Sequence, residues 1–210
     1  MPRREHNLRA LGLACTVAGF VGCTEPGAEP SLSDPDALAE VTLPAEDACD
    51  EVRKWPPSRR AQESLLLDAI LRVRDAGGAC PDTQRFGAGE PLELQGALVC
   101  AARNLAVDLE QTDNFGHGDA DASNVVERLA EAGWDTLLAT ELIAAADIAP
   151  ERVVDEIWLT SAPHCDALRA ASWTQVGIGY IENPLPALPD PEAPTMWGAY
   201  WVVVLSTAER

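Results

Sequence analysis

Val153-Val154-Asp155-Glu156-Ile157-Trp158-Leu159-Thr160-Ser161-Ala162-Pro163-His164-Cys165 joins an apolar helical face directly to a histidine. Pro150 suits the first position of this helix, because its missing N–H has no partner there in any case. Val153, Val154, Ile157 and Trp158 recur at helical spacing and form the buried side. His164 follows at once. The chain has three histidines, and His6 lies in the basic N-terminal segment, which leaves His117 and His164 as candidates for chemistry. A neutral imidazole is a metal ligand or proton shuttle near pH 7, so both positions carry weight.

Two more helices precede this stretch. Leu66, Ile70 and Val73 share one face before Gly77-Gly78, and Leu94, Leu98, Ala101, Leu105 and Leu109 form a second stripe. A third helix is expected from the N-cap candidate Ser123 through Val126 and Leu129 to Gly133. The character changes after His164. Val176, Ile178 and Tyr180 alternate within 173–181, and 197–205 is apolar on both faces, as in a central strand. Pro184, Pro186, Pro189, Pro191 and Pro194 between them make a stiff connection that cannot donate ladder hydrogen bonds. Helices followed by strands imply an α+β layer fold.

The N-terminus reads as an address. Arg3, Arg4 and Arg9 precede a short apolar run over 11–21, so residues 1–22 resemble an export signal too short to span a bilayer. Phe20-Val21-Gly22-Cys23 resembles a lipobox, in which Cys23 is acylated and becomes the new N-terminus. Residues 23–48, rich in Pro, Ser, Glu, Asp and Ala, suit a flexible tether, with the folded domain expected over 49–210. Four cysteines remain: Cys49, Cys80, Cys100 and Cys165. No Cys-x-x-Cys spacing occurs, which argues against a zinc ribbon or thioredoxin-type site, and an oxidising compartment favours disulfides over buried thiols. Three connectivities are open. The expected one joins Cys80 to Cys100 and Cys49 to Cys165, linking consecutive helices and tying the N-terminal arm to the His164 segment. A formal net charge of −19 repels nucleic acid and anionic lipid, so membrane attachment is expected only through an acyl anchor.

Seven pieces in order resemble the CAP superfamily (SCP-like; cysteine-rich secretory, antigen 5 and pathogenesis-related proteins) in its compact bacterial form. They are Cys100-Ala101-Ala102-Arg103, Phe115-Gly116-His117, Arg128 through Gly133-Trp134, Thr140-Glu141-Leu142, Val153-Val154 through Ser161-Ala162-Pro163-His164, Val176-Gly177-Ile178-Gly179 and Tyr200-Trp201. The resemblance covers 64–205. It implies an α-β-α sandwich with a central antiparallel sheet and a cleft in which His117 and His164 match the family's histidines. Glu141 matches the glutamate of the family's Gly-Glu-Asn motif. Departures are equally plain: Thr140 and Leu142 replace the Gly and Asn, Ser161 stands where animal and plant members carry a second acidic residue, and Leu105 replaces a frequent bacterial histidine. The site is partly degenerate.

Two imidazoles and a carboxylate suit a divalent ion such as zinc with one position left for water, so His117, His164 and Glu141 form the expected metal set. Glu141 is equally open to a role as general base, or as the carboxylate that orients a ring. Asp119 and Asp121 read as solvated turn residues. Ser161 lacks the Gly-x-Ser-x-Gly turn of a hydrolase nucleophile and reads as a helix cap. Phosphate-loop, dinucleotide and His-Glu-x-x-His motifs are absent from the sequence. The expectation is a monomeric extracytoplasmic binding protein whose ligand the sequence does not name, a protein, lipid or sterol being what the resemblance implies, with a metal-dependent hydrolase of peptide or ester bonds as the alternative.

Overall fold

The computed structural model describes residues 37–82, 85–112, 114–118, 124–183 and 198–208. The signal, Cys23, most of the tether, Asp119, Asp121, Ser123, the prolines from 184 to 194 and Trp197 lie outside them. The path begins with one-turn 3-10 helices at Ala37–Ala39 and Asp47–Cys49, followed by α1 (Asp50–Arg53) and α2 (Pro57–Ala76). Gly77, at a left-handed φ of 57°, ends α2. A small hairpin pairs β1 (Gly78–Ala79) with β2 (Arg85–Phe86), and β3 (Glu93–Leu94) leads into α3 (Gly96–Thr112). Then come α4 (Val125–Glu131), β4 (Ala139–Ala145) and α5 (Pro150–Arg152), which widens into a π-helix over Val153–Trp158. Helix α6 (Ala162–Arg169) and strands β5 (Gln175–Glu182) and β6 (Ala199–Ser206) complete the chain.

The main sheet has the order β3-β5-β6-β4. Strand β6 is central, which explains a sequence apolar at every position. Tyr200, Val202 and Val204 pack into one core with α3 and Leu129, while Trp201, Val203 and Leu205 pack into a second with α2, the π-helix and Leu168. Helices therefore cover both faces, as an α-β-α sandwich requires. The three long strands are antiparallel, but short β3 runs parallel to β5, so the sheet is mixed rather than wholly antiparallel. Gly177 and Gly179 place β5 directly under α3: a Cβ at either would overlap the backbone of Leu98 or Ala102.

Open strand edges are closed by side chains. Beyond its two-residue pairing with β3, β5 offers the Tyr180 N–H to Glu63 Oε1 at 3.3 Å. Glu63 in turn accepts two bonds from Arg103, at 3.0 and 2.6 Å, joining α2 to α3 around that edge. At the opposite edge the Trp158 indole N–H donates to the Ile143 carbonyl at 3.1 Å. The π-helix, in which Leu159 N reaches Val154 O at 2.9 Å, sets the register that delivers Trp158 there.

Several expectations change. The disulfides join Cys49 to Cys100 and Cys80 to Cys165, not Cys80 to Cys100 and Cys49 to Cys165. The reason is layering: Cys49 and Cys100 share the α3 side of the sheet, whereas the hairpin and α6 belong to the α2 side, so the expected pairs would have to cross the sheet. Ordered packing also reaches back into the expected tether. Leu38 and Leu43 are buried in the α3-side core, and Asn104 donates to Ala48 O at 2.8 Å. Leu94 is in β3 rather than on the helical stripe, because α3 starts at Gly96. Asn124 caps α4 with a reciprocal capping box involving Glu127. Glu141, for which the sequence indicated no element, lies in a strand because Ala139–Ala145 pairs with β6. Among the described residues, no helix is long and apolar enough to cross a membrane.

Candidate functional site

Strand β4 is one edge of the sheet, packed by α4 and by the π-helix. Side chains alternate across it, so Leu142 and Ala144 enter the α2-side core while Ile143 enters the other. Glu141, on the same side as Ile143, is a buried carboxylate and requires partners. It has two. Arg128 Nη2 donates to Oε2, and Oε1 lies 3.0 Å from His117 Nδ1. The Arg128 and Glu141 side chains are each only 3% exposed.

Helix α4 puts Arg128 there. The Asn124 side chain accepts from Val126 N at 3.0 Å and Glu127 N at 3.2 Å, while Glu127 Oε2 accepts from Asn124 N at 3.0 Å. This fixed first turn directs Arg128 inward beside buried Leu129. Arg128 Nη1 also donates to the His117 carbonyl at 3.4 Å, so one guanidinium holds both the carboxylate and the loop carrying its imidazole. Because an ionised carboxylate only accepts, His117 carries its proton on Nδ1 when neutral and presents Nε2 as an acceptor. The ring is 58% exposed.

His164 comes from the other layer, on the first turn of α6, next to the Cys80–Cys165 bridge. Burial holds its pKa below the ordinary value, and the charge of nearby His117 adds to the depression. The two rings thus lie within electrostatic reach of one another, although 47 residues separate them in sequence. His164 Nδ1 is buried and has no hydrogen-bond partner among the described residues. Ser161 occupies the N-cap position of α6 with extended backbone, but its hydroxyl makes no capping bond; only its carbonyl accepts, from Cys165 N at 2.9 Å.

The fold therefore brings His117, Glu141 and His164 to one edge, with Arg128 as a member that motif reading did not single out. A signal for it existed. An arginine adjoining the apolar stripe of an amphipathic helix is a buried cation in need of a carboxylate. The metal set fares differently. Both Glu141 oxygens are engaged, and among the described residues no three His, Cys, Asp or Glu side chains are grouped around a common ion position. These three residues do not fit zinc as a ligand set.

No family model matches the chain. It is 23% identical over 155 residues to the uncharacterized protein YkwD of Bacillus subtilis strain 168, an alignment covering 74% of this chain and 56% of that protein. In structure it is similar to an extracellular protein containing an SCP domain from Bacillus anthracis, with a TM-score of 0.53 and 15% identity over 71% of this chain and 41% of that one. A cysteine-rich secretory protein from Staphylococcus aureus aligns with a TM-score of 0.48 and 15% identity, over 71% of this chain and 40% of that one. The chain thus spans about half the length of the relatives it matches. Its fold is CAP/SCP-like.

Proposed function

We propose that this is an extracytoplasmic binding protein of CAP/SCP-like fold, exported by its N-terminal signal and held at a membrane through acylated Cys23. Its ligand is taken at the β4 edge by His117 and His164. One observation carries the reading: the Arg128-Glu141-His117 chain fixes a solvent-facing imidazole with its acceptor nitrogen outward, beside a second ring whose pKa burial lowers. Such a pair recognises hydrogen-bond donors on a ligand, such as hydroxyl, amide or ammonium groups. Two disulfides support export, since cross-links of this kind persist in oxidising compartments. The extracellular origin of the Bacillus anthracis protein agrees with this placement.

The test titrates the purified chain with a panel of peptides and esters while following both imidazoles by NMR and assaying turnover. Saturable shifts at His117 and His164 without product, lost in His117→Ala, are expected. Turnover abolished by His117→Ala with the fold intact would replace binding by catalysis.

A further inference from the structure

The chain carries 34 acidic and 15 basic residues, yet three arginines line a single pocket of about 280 Å3. Arg53, Arg60 and Arg103 face the N-terminal arm there, which contributes Leu38, Val41 and Leu43. Two of the cations are matched. Arg103 is bonded twice to buried Glu63, and Arg53 pairs with Asp50 at 3.0 Å and donates to Pro44 O at 2.6 Å. Arg60 differs. Its Nη1 donates to the Trp55 carbonyl at 2.6 Å, and among the described residues no carboxylate lies within ion-pair distance of it.

Its setting sharpens the imbalance. Arg60 is half-buried in the first turn of α2, a turn without an acidic residue, where the aligned peptide dipoles add positive potential. Its neighbour Arg59 is matched by Glu182 at 2.7 Å. A half-buried cation with spare donors at the positive end of a helix favours an anion in the adjoining space. An arginine without a carboxylate partner favours an anionic group over a neutral one. The walls opposite are aliphatic, and about 280 Å3 lies at the lower end of the range for small-molecule pockets, which suits a small ligand.

We propose that this pocket binds a small organic monocarboxylate, its oxygens on the Arg60 guanidinium and its short alkyl chain against Leu38, Val41 and Leu43. The site shares no residue with His117, Glu141, Arg128 or His164, so it stands or falls apart from the binding reading above.

Pentanoate is the probe. It is titrated into the full chain while the Trp55 indole and Arg60 guanidinium resonances are followed, with pentanamide as the uncharged match and sulfate as an oxyanion without a tail. The expected result is saturable binding of pentanoate, weakened about tenfold or more in pentanamide and in Arg60→Gln, as loss of a charge-assisted hydrogen bond requires. Arg72→Gln, at a surface pair with Asp155, leaves it unchanged. Absence of saturation, equal binding of pentanamide, or sulfate binding as tightly as pentanoate would overturn the proposal. The ligand comparison needs no variant, so a destabilised Arg60→Gln protein leaves the test intact.

Discussion

Arg128 and Glu141, thirteen residues apart, form an ion pair closed to water at the β4 edge of the sheet. Breaking such a pair from one side leaves an uncompensated buried charge. Arg128→Met is therefore expected to cost roughly 3 to 5 kcal/mol, whereas Arg128→Met combined with Glu141→Leu recovers a large part of that loss. Chemical denaturation of the single and double variants measures both. A single variant as stable as the parent would mean that the pair carries little.

The pH dependence follows from His164. Its folded pKa lies below the ordinary 6.5 because of burial first and His117 second. Between those two values the unfolded chain binds more protons than the folded one, so stability rises with pH. The contribution is fully present above 6.5 and is lost as pH falls through the folded value. Unfolding free energy measured from pH 7.5 downward is expected to decline over that window and to decline less in His164→Gln. An identical decline in the two proteins would assign the effect to other groups.

Gly177 and Gly179 test the seating of α3 on β5. Alanine at either position meets helix backbone rather than a flexible side chain, so the helix must move. Each substitution is expected to lower stability by about 1 to 3 kcal/mol. Gly116→Ala, where a Cβ meets nothing within 4 Å, is the matched control.

Peptide mapping of the oxidised protein is expected to return Cys49–Cys100 and Cys80–Cys165. Replacing Cys80 and Cys165 together by serine releases a loop of 85 residues and costs up to about 4.6 kcal/mol by chain entropy. The same change frees the start of α6, so the His164 resonances should broaden more than those of His117. Equal behaviour of the two rings would separate the bridge from the site.

Much of the architecture was legible in the sequence because burial leaves a period. The α2 and α3 stripes, Pro150 and the two-sided apolar run of β6 each point to one element. Strand β4 was not legible: Ala139–Ala145 has little β-branched character, and only its pairing with β6 makes it a strand. The disulfide pairing was hidden for a related reason, since sequence separation does not reveal which side of a sheet a cysteine occupies. At the β4 edge, motif order singled out both histidines and Glu141 but not the arginine that contacts Glu141 and His117. How Glu141 and the His117 loop are held depends on Arg128, whose partner is set by the fold.

The central claim is that Glu141, held by Arg128, fixes the His117 ring with its proton on Nδ1. Long-range ¹H–¹⁵N spectra of the neutral imidazole measure this directly. The account predicts a protonated Nδ1 and a bare Nε2 in the native chain, with the preference lost in Glu141→Gln or Arg128→Met. A His117 ring protonated on Nε2 in the native protein, indifferent to both substitutions, would contradict it.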